Sequence, residues 1–353
     1  MSRPPACLIH SALWMTLSII LKLSILQAHA QDLSLRSNSP SVSTPQRSEP
    51  STLTQSQLLI KEFRRDFTQN EKRLPAPIRR LLLAYPDLLQ SAKLFTPDRG
   101  VLVWHDGEET VWQIPKRQYH IEEWARLRSE EHTSILGLDL GQSYEDILNK
   151  ASLREQFLQL YPKGRSLPQD LPQFFEPGRL RDESFFKKMY GAQRSQVKRS
   201  LTKITWGKQS LQVTKVNRID ERLKAIHSDL LALKRFKSYM YPSAGAFHWR
   251  TIKGTQRLSV HSFGAAIDIA VKRSHYWRWT LKVYGASPEG LIPYKNSFPV
   301  EVIRVFERYG FIWGGWWYHH DTMHFEYRPE LLVSLQDEDQ VPVEETKKEH
   351  PNQ

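Results

Sequence analysis

The sequence predicts an α+β protein: a small antiparallel sheet flanked by helices and preceded by a mainly helical N-terminal region. Three patterns carry that reading. Ile219, Leu223, Ile226, Leu230 and Leu233 recur at helical spacing. Apolar residues instead alternate at period two through 266–271, and again at Met323, Phe325 and Tyr327, as in half-buried strands. Asp106-Gly107 separates two short β-rich runs, 101–104 and 110–112, as the type I′ turn of a hairpin does.

Composition bounds what such a fold can be. The chain has 353 residues, 40% of them hydrophobic, which suits one large or two ordinary domains with a buried core. A single cysteine excludes both a disulfide scaffold and a thiolate zinc module. Fifty Lys and Arg against 38 Asp and Glu give a formal charge of +12, which admits nucleic acid, an acidic membrane surface or an anionic polymer as partner.

Residues 1–30 read as a secretory signal. Arg3 precedes an apolar run from Cys7 to Leu21, Lys22 interrupts it, and Ala28-His29-Ala30 places small residues where a signal peptidase cuts. Cleavage after Ala30 is expected. The alternative is a retained anchor helix over 7–27, against which Ser11, Thr16, Ser18 and Lys22 count. Cleavage removes Arg3, Lys22 and Cys7, lowering the charge from +12 to +10 and leaving no thiol. Chemistry then falls to His, Asp, Glu, Ser or Lys. Export argues against nucleic acid as partner, and no stable membrane insertion is expected once the signal is gone.

Residues 31–56, rich in Ser, Pro, Thr and Gln without an aromatic, are expected to form a disordered linker, and 336–353 a solvated tail. Helices are expected at 58–67, 78–83, 120–131, 151–160 and 183–202. Asn217 is read as the cap of the helix carrying Ile219 to Leu233, and a helix over 299–309 has Pro299 near its first turn and Gly310 past its end. The proline-rich stretch 167–177 is the expected boundary between an N-terminal region, 57–166, without an assigned role, and a domain over 167–335.

The informative residues lie between 247 and 330. In SVHSFGAAIDIAV, 259–271, alternation sets Asp268 between Ala266 and Ala270, opposite the face of Ile267 and Ile269. His261 stands seven residues earlier, across Gly264. In FIWGGWWYHHDTMHFEYRPE, 311–330, His324 and Glu326 share the polar face of a strand and Asp321 sits in its approach. Two histidines and a carboxylate on neighbouring strands supply the N, N, O ligand set of a catalytic zinc site, one ion per chain, with the fourth position left to water. Asp321 would then be the base acting on that water. Arg250, in FHWR, is a fixed cation for an anionic substrate or a developing oxyanion, with Arg257 as its rival. Trp313, Trp316 and Trp317 are read as the floor of a substrate cleft or as core, His319 or His320 as orienting Asp321, touching substrate or simply lying at the surface, and Glu326 as a carboxylate behind His324 or a strand-face ion pair. His320 to His324 also have the spacing of a zinc-binding helix with Asp in place of Glu, but Gly314-Gly315, the aromatics at 316–318 and Pro329 argue against a helix there.

These segments resemble the M15 family of zinc D-Ala-D-Ala carboxypeptidases and peptidoglycan L,D-endopeptidases, whose pattern is Ser-x-His-x-x-Gly-x-Ala-x-Asp followed by Glu or Asp three residues before a His. The resemblance spans about 178–330. It implies zinc on His261, Asp268 and His324, Asp321 as general base, and Arg250 as the substrate or transition-state arginine. Asp at the base position is similar to the VanY-type and endolysin-type branch, which includes L-Ala-D-Glu endopeptidases. The implied substrate is peptidoglycan or its stem peptides, met in the periplasm or outside the cell. The alternative is a wall-binding or regulatory protein that keeps the fold without catalysis. A chemically competent residue at each implied position argues against it.

Overall fold

The computed structural model describes residues 54–61, 67–129, 144–287 and 290–335. The expected signal, nearly all of the expected linker and the expected tail lie outside them. The last two linker residues, Gln55 and Ser56, already belong to helix Gln55–Lys61.

The first of three small sheets holds β1 (Leu89–Thr96), β2 (Arg99–Trp104) and β3 (Glu109–Gln113), antiparallel and in that order. β2 and β3 form the expected hairpin, but not around a type I′ turn. Gly107 N donates to Trp104 O at 3.0 Å and Trp104 N to Glu108 O at 2.9 Å, and within the turn only Gly107 has a positive φ, +83°. This is a three-residue loop closed by a left-handed glycine. β1 was not foreseen, because its outer half is exposed and shows no alternation. With it the N-terminal region is less helical than the sequence suggests.

The second sheet, β4 (Leu201–Trp206) and β5 (Gln209–Thr214), follows the stretch expected to be one helix over 183–202. Asp182 caps helix Glu183–Tyr190 by accepting from Phe185 N at 2.9 Å, and Gly191 at φ +115° ends it. A second helix, Arg194–Ser200, then delivers the chain to β4. The helix expected at 151–160 shrinks to Leu153–Gln156, held by a capping box of Ser152 and Glu155.

Helix Ile219–Ala232 buries Ile219, Leu223, Ile226 and Leu230, as its spacing predicts, whereas Leu233, expected on the same face, lies just past the helix end and is exposed. Each such burial is worth roughly 1.5–3 kcal/mol. Asn217 does not cap it: its φ is +57° and its Nδ2 reaches Tyr190 Oη at 3.3 Å. Helix Val300–Arg308 follows Pro299 and packs on the third sheet, where Phe306 stacks on Phe325 with ring centroids 3.9 Å apart.

That sheet carries the candidate site. β6 (Ala266–Asp268) and β7 (Phe311–Trp313) flank β8 (His324–Tyr327), all antiparallel. The register sets Asp268 directly opposite His324 and Ile267 opposite Phe325. Residues from Leu53 onward form one unit. The proline-rich stretch runs through it rather than between two bodies: Tyr318 N donates to Phe175 O at 2.8 Å and Trp317 Nε1 to Pro177 O at 2.9 Å. Among the described residues no helix is long and apolar enough to cross a membrane.

Candidate metal centre

His261 lies in a short turn of 3-10 helix, Val260–Phe263, that Gly264 ends in the left-handed region at φ +66°. A Cβ on Gly264 would stand 2.8 Å from Leu201 Cδ2 and 2.9 Å from Thr214 N, so only glycine lets this turn settle on β4 and β5. The turn swings His261 back over β6. There His261 Nε2 lies 3.1 Å from Asp268 Oδ1 and 3.1 Å from His324 Nδ1, and His324 Nδ1 lies 3.0 Å from Asp268 Oδ1.

The ring nitrogens facing that point are His261 Nε2 and His324 Nδ1, each able to offer a lone pair once unprotonated. His261 Nδ1 donates to Ala246 O at 2.7 Å, which leaves Nε2 as the acceptor nitrogen. His324 is turned the other way: its Nε2 meets Glu326 Oε2 at 3.0 Å, which leaves Nδ1. A tetrahedral zinc with bonds of about 2.0–2.1 Å separates its ligand atoms by about 3.3 Å, so this near-equilateral triangle fits such an ion. These three form a group that could hold a metal ion, and the outer nitrogen of each ring is already engaged.

Electrostatics point the same way. Burial works against the Asp268 carboxylate, yet the two imidazoles hold it well below the usual range. Burial would also lower His324, but its hydrogen bonds to Asp268 and Glu326 win and push it up to about 10. The carboxylates that favour a cationic ring here favour a divalent cation at the convergence point.

Asp321 enters through the loop after β7. A Cβ on Gly314 would stand 2.7 Å from Asp321 O, so a glycine there lets the loop close, and Asp321 N donates to Gly314 O at 3.0 Å. Asp321 Oδ1 is buried without a hydrogen-bond partner among the described residues, and burial together with the charge of Asp268 pushes the carboxyl up to about 6. It lines the same cleft as His261, Asp268 and His324. The segment is not a helix, which disposes of the reading that pairs His320 with His324 on one helical face.

Arg250 lines that cleft and is exposed. It lies eleven positions before His261, but Ile252 N donates to Arg257 O at 2.8 Å and Ser259 N to Arg250 O at 2.9 Å, a ladder that folds the two segments side by side. Arg257 is spent in the interior: it donates to Leu148 O and Arg181 O and lies 3.4 Å from Glu183 Oε2. Trp317 lines the cleft, whereas Trp316 and His320 are buried and are not among its lining residues. His320 Nε2 is 3.2 Å from Thr280 Oγ1, and burial lowers the ring to about 4. Glu326 fills both roles foreseen for it, bonding His324 on one side and Arg328 on the other, at 3.0 Å each.

The sequence reading missed two parts of the cleft wall. Tyr276, Trp277 and Trp279 come from helix Trp277–Tyr284 and the residue before it, where no element is expected from the sequence. Arg179 and Arg181 come from just after the proline-rich stretch, and no motif marks them. The guanidinium of Arg179 lies 4.8 Å over the Trp317 ring.

Residues 253–327 match the M15 peptidase family model described as D-alanyl-D-alanine carboxypeptidase. The match contains His261, Asp268, Asp321 and His324, so the resemblance read from the two motifs holds over this span and supports a peptidase of that family. No curated protein and no solved structure matches the chain.

Proposed function

Starting from an M15 peptidase segment that contains this cluster, we propose that the protein is an exported zinc-dependent peptidase that hydrolyses peptide bonds in peptidoglycan stem peptides. The observation that carries the reading is the triangle of His261, Asp268 and His324 with a buried, unpartnered carboxylate oxygen of Asp321 in the same cleft. A zinc ion bound there would supply a Lewis acid able to polarise the scissile carbonyl and lower the pKa of a water towards about 7. His261, Asp268 and His324 hold the ion. Asp321 takes the proton of the attacking water on its free oxygen and returns it to the leaving amine. Arg250 holds a substrate carboxylate or the developing oxyanion, and Trp317 forms the wall along which the peptide lies.

Export follows from the signal pattern of residues 1–30, and the charge of +10 after cleavage draws the protein to a wall polymer rich in carboxylates. The test is incubation of the zinc-loaded protein with purified muropeptides, with and without chelator, followed by mass spectrometry. Release of D-alanine marks a carboxypeptidase, and fragments split between L-Ala and D-Glu mark an endopeptidase. Unchanged muropeptides that nevertheless bind the protein would replace this reading by the non-catalytic one.

A further inference from the structure

The charged residues of β8 do not stop at Glu326. His324, Glu326 and Arg328 follow at period two and Glu330 lies in the turn beyond, so one face of this segment leads a row of polar groups from the cleft into the interior. Arg328 Nη1 donates to Glu326 Oε1 at 3.0 Å and Arg328 Nε to Glu330 Oε1 at 2.7 Å. At the far end Tyr85 Oη donates to Glu330 Oε2 at 2.6 Å and Gln156 Nε2 to Glu330 Oε1 at 3.0 Å. Gln156 is itself fixed, since its Oε1 accepts from Asp182 N at 3.0 Å. Tyr85, Gln156, Arg328 and Glu330 are each 0% exposed.

Stability alone gives no reason for this row. Two carboxylates and a guanidinium withdrawn from water cost several kcal/mol per ion, and well-packed apolar replacements of such groups are often neutral or stabilising. What the row does is specific to His324. It gives Nε2 a carboxylate partner whose position is set from behind by a guanidinium, and the guanidinium is set in turn by Glu330. The ring is thereby kept from turning, with Nδ1 aimed at His261 and Asp268.

We propose that Tyr85 and Gln156, which lie far before the matched span of 253–327, are positioning residues of the metal centre. Acting through Glu330, Arg328 and Glu326, they fix the orientation of His324 and so set the affinity of the site for a divalent cation. The N-terminal region thereby acquires a role as the outer support of the metal ligand. The proposal rests on reading the triangle as a metal site, and it does not depend on which peptide bond is cut.

The test is zinc affinity of the full chain, measured by competition with a chromophoric chelator, alongside the visible spectrum of the cobalt-loaded protein and thermal unfolding. Tyr85→Phe and Gln156→Leu should each weaken zinc binding about tenfold and shift the cobalt spectrum, the range seen when outer partners of a ligand histidine are lost. Glu330→Gln should weaken it at least as much. Leu230→Ala, a core change elsewhere, should lower the melting temperature with zinc affinity unchanged. Gln156→Leu leaves Tyr85 in place and reports independently if Tyr85→Phe does not fold. Network variants that melt earlier yet hold zinc as tightly as the wild type would overturn the proposal. A wild-type protein that takes up no zinc removes the metal reading and this proposal with it. Zinc binding that depends on Tyr85 without hydrolysis of muropeptides supports the proposal and sinks only the peptidase reading.

Discussion

Asp321 and the pair Arg250 and Arg257 show what single residues decide in this cleft. An acceptor oxygen buried without a partner costs about 1–3 kcal/mol, so Asp321 Oδ1 is a liability unless a proton donor arrives there. Asp321→Asn keeps the size and removes the proposed base. It should leave stoichiometric zinc by metal analysis while lowering muropeptide turnover by about 10² to 10⁴, and retained turnover would remove Asp321 from that role. The two arginines should separate by what they damage. Arg250→Ala removes an exposed cation and should depress turnover while leaving urea unfolding unchanged. Arg257→Ala leaves two buried carbonyls and the Glu183 carboxylate short of a donor, and should destabilise on the order of 3 kcal/mol in the same unfolding experiment. From the letters alone these arginines were rivals, since both precede His261 closely and only burial tells them apart. His261, Asp268, Asp321 and His324 were legible for the opposite reason: their spacing states which chemical groups can meet, whatever surrounds them. Trp316 and His320 sit among the same letters, yet the loop that Gly314 closes turns them inward.

At the scale of elements, the parts legible in advance were those with a long period. Helix Ile219–Ala232 shows four buried apolar positions at helical spacing, and β8 alternates polar with apolar residues although all four are buried. The hairpin of β4 and β5 was missed although Gly207 marks its turn, because the charged run before it reads as one continuing helix and a single glycine at 191 is a weak stop signal in sequence. Capping was misassigned at Asn217 because its side chain is drawn to Tyr190, a partner that local sequence does not reveal. Gly264 is where an element meets the site. Gly264→Ala places an L residue at φ +66° and drives its Cβ to within 3 Å of Leu201 and the Thr214 backbone. The change should destabilise the fold by roughly 1–3 kcal/mol and, because this turn carries His261, weaken zinc binding as well. Chelator competition and urea unfolding on one variant check both halves, and zinc affinity equal to the wild type would mean that the turn does not position the ligand.

For the whole molecule, the boundary expected at 167–177 and the single unit observed give opposite expectations for a fragment. The buried residues Leu81, Tyr85, Trp112, Trp124 and Phe157 belong to the same hydrophobic cluster as Phe186, Phe306 and Phe325, so the N-terminal region and the matched span share one core. Cutting at 167 strips away the first group. Each large apolar side chain is worth roughly 1.5–3 kcal/mol when buried, whereas a domain is stable by only about 5–15 kcal/mol in all, so losing five such contacts is comparable to the whole margin. The cut also leaves Glu330 without Tyr85 and Gln156, and Arg257 without Leu148 O. A fragment spanning 167–335 should therefore lack a cooperative thermal transition by circular dichroism and bind zinc only weakly, while one beginning at Leu53 should melt cooperatively and bind zinc as the full chain does. A 167–335 fragment that melts cooperatively near the full chain would show that the proline-rich stretch separates two bodies able to fold alone, and that the shared core is a contact between them.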